Sequence, residues 1–262
     1  MQSKISIEFV EKTFPPRNGK EAFTAVADLN LNVREGEFLT IVGPSGCGKS
    51  TLLDLIGGLT TPTKGRILIN EKEVTGPGLD RAIVFQQYAL YPWRTALQNV
   101  LFGLEAKGIA KQERIQQAKY YMDLVGLSQF HDHYPHELSG GMKQRVAIAR
   151  GLAYDPEVLL MDEPFAALDA QTRENLQEEL LHIWRKTKKT IIFITHGIDE
   201  AVYLGERIVV LTGNPGKVKT IIDNQSSSRW SDSDFRSSTE FSTIRHEVWR
   251  ALHEKTYQAA HI

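Results

Sequence analysis

The chain has 262 residues, enough for one large α/β domain or for a domain carrying an inserted subdomain. Its 31 Lys and Arg against 32 Asp and Glu leave a net charge of −1, which excludes bulk attraction to nucleic acid or an anionic membrane. A single cysteine excludes an internal disulfide, and neither a membrane-length apolar stretch nor a secretion-type leader is found, so a soluble, cytoplasmic chain able to dock on a membrane protein is expected.

Ile5, Ile7 and Phe9 alternate with polar residues, as do Leu29, Leu31 and Val33, and both patterns predict strands at the edge of a sheet. Glu35-Gly36-Glu37 turns into a buried-type strand, Phe38-Leu39-Thr40-Ile41-Val42. That strand feeds Gly43-Pro44-Ser45-Gly46-Cys47-Gly48-Lys49-Ser50, and a helix-like run from Thr51 follows. The stretch fits G-x-x-x-x-G-K-[ST] at every required position, in the strand–loop–helix setting that gives the pattern meaning. Glycines let consecutive N–H groups converge on phosphate oxygens, and the helix start points its positive end at the same anion. Lys49 then reaches the β- and γ-phosphates and the Ser50 hydroxyl ligates Mg²⁺, so the chain is expected to bind a nucleoside triphosphate. Cys47 sits at a helix start, where an exposed thiol ionises more easily; it reads first as a small loop residue.

A turn at 60–65 leads to the strand Arg66-Ile67-Leu68-Ile69, and Arg81-Ala82-Ile83-Val84-Phe85 is a short strand ending at Gln86. From about 95 to 150 helical spacing dominates (Ile115, Ala118, Met122, Val125), which predicts an inserted helical subdomain. Within it, Leu138-Ser139-Gly140-Gly141 opens a helix and offers a hydroxyl, free N–H groups and a positive dipole end, a second anion site best used on a nucleotide held by another copy of the chain. Strands at 157–161 and 190–194 flank a helix from about 171 to 186, so the sheet is mainly parallel. The first of these strands runs into Asp162 and Glu163, which a parallel sheet delivers beside the phosphate loop. Asp162 suits Mg²⁺ and Glu163 suits deprotonation of water; the competing reading is a helix cap. Gln86 and His196 also follow strands, and on spacing alone each reads equally as structural or functional. After Asp223 the serine-rich stretch reads as flexible, followed by a last helix at about 243–259 with Val248, Leu252 and Tyr257 on one face.

Taken together these motifs resemble the ATP-binding subunit of an ABC transporter, over nearly all of the chain to about Asp223. The resemblance implies an α/β P-loop NTPase with a mainly parallel sheet, an antiparallel β edge and the inserted helical subdomain at about 95–150, in a domain spanning 1–225. By position, Gly43 to Ser50 match the Walker A loop with Thr51 behind it, Gln86 the Q-loop glutamine, and Leu138-Ser139-Gly140-Gly141 the signature. Asp162 and Glu163 match the Walker B aspartate and the catalytic glutamate, Asp169 lies in the D-loop, and His196 is the switch histidine. The resemblance also implies that Gln86 joins Ser50 and Asp162 as an Mg²⁺ ligand and that Phe14 is the aromatic that stacks on adenine. Met142 stands where the signature most often has glutamine, and Phe14 where tyrosine is commoner; neither removes a needed contact.

Within the family, 90–95, 163–169 and 211–218 resemble the nitrate, sulfonate and taurine importer branch. Tyr91, Trp93 and Arg94 then fall where a permease subunit docks, an exposed Trp-Arg pair being the composition of an interface anchor; an internal tryptophan is the alternative. The implied protein is a peripheral ATPase on the cytoplasmic face of the membrane, soluble when isolated, using ATP and Mg²⁺. Its expected partners are a second copy or a paralogous ATPase subunit, permease subunits and, indirectly, a substrate-binding protein. The rival reading is a soluble ABC-type ATPase without a transport role.

Overall fold

Alternating apolar residues pair the first strands into an antiparallel layer. In the computed structural model, which describes residues 3–16, 21–224 and 235–254, β1 (Ser3–Phe14) lies between β2 (Phe23–Arg34) and β4 (Lys64–Ile69), with β5 (Lys72–Glu73) beyond. Ile5, Ile7, Leu29, Leu31 and Val33 face inward as their alternation predicts. Phe9 does not. The β1–β2 register shifts between Ile7 and Val10 and Phe9 takes φ 50°, so Phe9 swings out to 70% exposure and Val10 fills the inward place. Gly65 faces this bulge with φ +74°, where a Cβ would lie 2.3 Å from the Glu8 and Phe9 carbonyl oxygens.

The antiparallel strands form their own sheet rather than an edge of the main one, because their inward face covers α1 (Lys49–Gly57) in a shared apolar cluster. The main sheet runs β10-β9-β3-β8-β7-β6. Here β3 (Phe38–Val42), β6 (Arg81–Val84), β7 (Val158–Asp162), β8 (Thr190–Ile194) and β9 (Arg207–Leu211) are parallel, and β10 (Val218–Asp223) is antiparallel. β3, β8 and β9 are buried throughout, as continuous apolar runs covered on both faces must be. The second cluster joins the opposite face to α2 (Ala96–Ala106), α3 (Lys111–Leu124), α4 (Gly140–Ala153) and α5 (Ala170–Thr187). No helix among the described residues is long and apolar enough to cross a membrane.

Thr95 opens α2 with a capping box: its hydroxyl accepts from the Gln98 amide at 3.3 Å while Gln98 Oε1 accepts from the Thr95 amide at 3.0 Å. α6 (Ile198–Leu204), β9 and β10 lie outside the elements expected above, although Ile208-Val209-Val210-Leu211 is a buried-strand run. The last helix, α7 (Thr239–His253), begins four residues before the expected start, because Ser238 accepts from the Phe241 amide at 3.0 Å. Val248 is buried as expected, Leu252 is half-buried, and Tyr257 lies outside the described residues, as do 226–234 of the serine-rich stretch. At 235–238 that stretch is ordered structure: Phe235–Ser237 form a 3₁₀ turn, and Phe235 is buried edge-on against Phe241.

Candidate active site

The phosphate-loop motif sits between β3 and α1. Gly48, at φ +88°, is the residue before the helix, and a Cβ there would stand 2.6 Å from the Ala25 carbonyl oxygen; only glycine fits. Lys49 is buried, its Nζ donating to the carbonyls of Gly43 at 2.8 Å and Pro44 at 3.1 Å. Gly216, from the turn after β9, closes the loop from outside: its amide donates to Ala25 at 2.9 Å, and a Cβ on it would meet the Cys47 carbonyl oxygen at 2.0 Å. Cys47 is 1% exposed and tucked against Gly43, and burial pushes its thiol above the ordinary range. The expected lowering at a helix start is overridden because the side chain points into the core, away from solvent.

A cavity of about 380 Å³ opens over the loop, lined by Phe23, Ala25, Ser45, Gly46, Gly48, Lys49, Ser50, Thr51 and Glu163. Phe14 is not part of that lining. Its cross-strand partner Phe23 is, and Lys12 Nζ lies 5.2 Å from the Phe14 ring instead. Asp162 ends β7; burial raises its carboxyl above the usual range, opposed by a hydrogen bond from Ser50, while the charge of Glu163 raises it further. Glu163 follows at φ 44°, its amide donating to the Ile194 carbonyl at 2.9 Å, and this turn carries its carboxylate to the cavity. His196, after β8, places Nδ1 3.1 Å from Glu163 Oε2. Phosphate loop, Asp162, Glu163 and His196 are thus brought together, as parallel strands ending on one side require.

Other predicted site residues stand apart. Ser139 caps α4, accepting from the Met142 amide at 3.3 Å, and the Gly140 and Gly141 positions face Tyr88, Leu168 and Thr172 rather than the phosphate-loop cavity. Asp169 caps α5 through the Thr172 amide at 2.9 Å, which holds its carboxyl below the usual range. Gln86 is exposed just past β6, outside the cavity lining. The chain after it is held by Arg150 of α4, which donates to the carbonyls of Ala89 at 2.5 Å and Tyr88 at 2.9 Å. Asn99, fully buried, accepts from the Tyr91 amide at 2.8 Å and donates to the Tyr91 and Arg94 carbonyls, fixing the next turn. On that turn Trp93 is 71% exposed against Tyr91, and Arg94 lies over Tyr91 and Phe102. The internal-tryptophan alternative is excluded.

Residues 26–166 match the model of the family described as ABC transporter. The chain belongs to this ABC transporter family. It is 60% identical over 222 residues to an uncharacterized ABC transporter ATP-binding protein of Methanocaldococcus jannaschii, covering 85% of this chain and 82% of that one. A nitrate import ATP-binding protein of Synechocystis sp. is 51% identical over 215 residues (82% of this chain, 80% of that one). A bicarbonate transport ATP-binding protein of the same organism is 48% identical (83% and 78%). Among solved structures, the dimeric structure of a bacterial ABC transporter cassette superposes with TM-score 0.75 at 37% identity, over 85% of this chain and 99% of that one. A dimeric post-hydrolysis state of that cassette, bound to ADP and Pi, gives 0.74 at 36%, with the same coverage. The protein is therefore an ABC ATP-binding subunit with the family's ATPase fold and activity.

Sequence reasoning missed Phe23 and Gly216 at the phosphate loop. Phe23 carried a signal as the aromatic opening a strand; Gly216 carried none, since its role depends on a contact with Cys47 far away in sequence.

Proposed function

We propose that this ABC ATPase works as a dimer that powers an importer of a small inorganic or organic anion through membrane permease subunits. The observation that carries the reading is the placement of Glu163 between the phosphate-loop cavity and His196, with the Ser139 helix start outside the lining of that cavity. The nitrate and bicarbonate relatives support the substrate class, and the dimeric cassette supports the assembly. The ATPase sits peripherally on the cytoplasmic side of the membrane.

The loop amides and Lys49 bind the β- and γ-phosphates, Lys49 exchanging its two carbonyl partners for phosphate oxygens. Phe23 and Phe14 offer flat rings to the base. The oxygen donors Ser50 and Asp162, already hydrogen-bonded to each other, fit a hard cation, and Gln86 joins them when the loop after β6 moves in. Bound there, Mg²⁺ would neutralise phosphate charge. Glu163 accepts the proton of the attacking water, and His196 orients Glu163 and donates toward the γ-phosphate. Ser139, Gly140 and Gly141 of the second copy complete the γ-phosphate shell, so loss of that phosphate removes the advantage of the closed dimer. Asp169 at the α5 start faces the same dimer seam. Closure reaches the permease through Gln86 and the Tyr91, Trp93 and Arg94 turn.

The test is Glu163→Gln. ATP binding should persist while hydrolysis falls about a hundredfold or more, as loss of a general base implies. Near-normal turnover would remove the assignment.

A further inference from the structure

A second cavity, of about 400 Å³, lies behind the catalytic pair, and residues from the C-terminal segment line it beside His196 and Glu163. The segment is anchored by burial. Phe235, Phe241 and Val248 enter the cluster that contains Val202 of α6, Val210 of β9 and Val42, the last residue of the strand feeding the phosphate loop. Two of its arginines hold α5 and α6. Arg245 donates to Asp199 at 2.5 Å, and Arg236, whose guanidinium lies 3.9 Å from the Tyr203 ring centroid, donates to Gln177 Oε1 at 2.5 Å.

From Gln177 the hydrogen bonds run inward. Gln177, 2% exposed, donates through Nε2 to Glu200 Oε1 at 2.8 Å. The other oxygen of Glu200 accepts from the hydroxyl of Thr195, itself 2% exposed, and that hydroxyl accepts from the Gly197 amide at 2.9 Å. His196 is the residue between Thr195 and Gly197. Burial raises the Glu200 carboxyl above its usual range, opposed by these two donors, so orientation of the carboxyl depends on both. The Gln177 amide is in turn oriented by Arg236: with its oxygen committed to the guanidinium, its NH₂ faces Glu200.

We propose that Arg236 is a positioning residue for His196, acting through Gln177, Glu200 and Thr195, so that docking of the C-terminal segment sets the rate of hydrolysis. The proposal rests on the reading of Glu163 and His196 given above. A segment outside the nucleotide site thereby gains a hold on the geometry of the proton-accepting pair, which a partner or a change in docking can tighten or release.

The test uses the full chain and steady-state ATP hydrolysis. Arg236→Ala should lower kcat on the order of tenfold with KM for ATP within about twofold, since misplacement of a catalytic group costs turnover rather than binding. Arg236→Lys, which keeps a donor to Gln177, should recover most of the loss. Gln177→Met should match Arg236→Ala, and the double variant should be no slower than the slower single one, because both act on one chain of contacts. The proposal is overturned if Arg236→Ala keeps its kcat and only melts earlier, or if the two losses multiply. Glu163→Gln run alongside separates the claims. Lost turnover there with an unaffected Arg236→Ala overturns the relay alone; normal turnover in Glu163→Gln overturns the site reading and the relay with it.

Discussion

The phosphate loop and the start of α4 are both glycine-rich helix entrances, and they are finished in opposite ways. At the phosphate loop the entrance residue is Gly48, which offers no side chain to the helix amides; Ala25 and Gly216 close in from outside and Lys49 from within. Its amides border a cavity shared with Glu163. At α4 the entrance residue caps itself, Ser139 accepting from the Met142 amide, and the two glycines stand beside Tyr88, Leu168 and Thr172. One entrance is finished by its own chain around a ligand space, and the other is turned away from that space. A shared site is therefore to be sought at the entrance that does not line its own chain's phosphate-loop cavity.

The comparison breaks most sharply in a mixing experiment. Lys49→Ala and Ser139→Glu should each lose about a hundredfold in turnover, as removal of a charge-stabilising group does. Mixed together they should regain about tenfold over either parent, because each mixed dimer contains one whole composite site. ATPase assays across mixing ratios check this, and no regain would mean both entrances act within a single chain. A smaller effect sharpens the first side. Gly216→Ala must push the Cys47 carbonyl away, so thermal unfolding should show a loss of about 2 kcal/mol and ATP affinity should weaken with it. An unchanged melting temperature would show that the outer wall is dispensable.

Trp93→Ala tests whether the exposed turn beside α4 serves a permease partner. Isolated ATPase activity should stay within about twofold, as for exposed positions that touch nothing buried, while co-purification with the membrane subunits falls. An unchanged yield would favour a soluble role. The smallest effect concerns Cys47. Because burial raises its thiol pKa, the thiolate is scarce at neutral pH and becomes commoner only as pH climbs. Maleimide labelling of the folded chain should be slow at pH 7, faster at higher pH, and complete on unfolding; fast labelling at pH 7 would contradict the burial.

The local patterns were legible because they depend on near neighbours. Phe38 to Val42 followed by the glycine motif, and Val158 to Met161 followed by Asp162 and Glu163, gave strand, loop and carboxylates directly. Trp93 needed the structure only to choose between surface and core. The remainder depended on partners distant in sequence. Phe9 and Val10 exchange roles because β1 bulges against two neighbours, which alternation in one strand does not reveal. Phe23 lines the cavity because it pairs opposite Phe14 across the hairpin. Gln177 and Glu200 lie on different helices, and nothing in their spacing announces that they meet behind His196.

The position of β3 has a consequence for how the molecule is made. Its neighbours on either side are β8 and β9, both encoded far downstream of it. A nascent polypeptide leaving the ribosome has synthesised its Walker loop long before it owns a sheet in which to seat it. Nucleotide affinity should therefore arrive late and abruptly during translation, once Leu211 has emerged, so that arrested fragments ending before β9 stay blind to ATP.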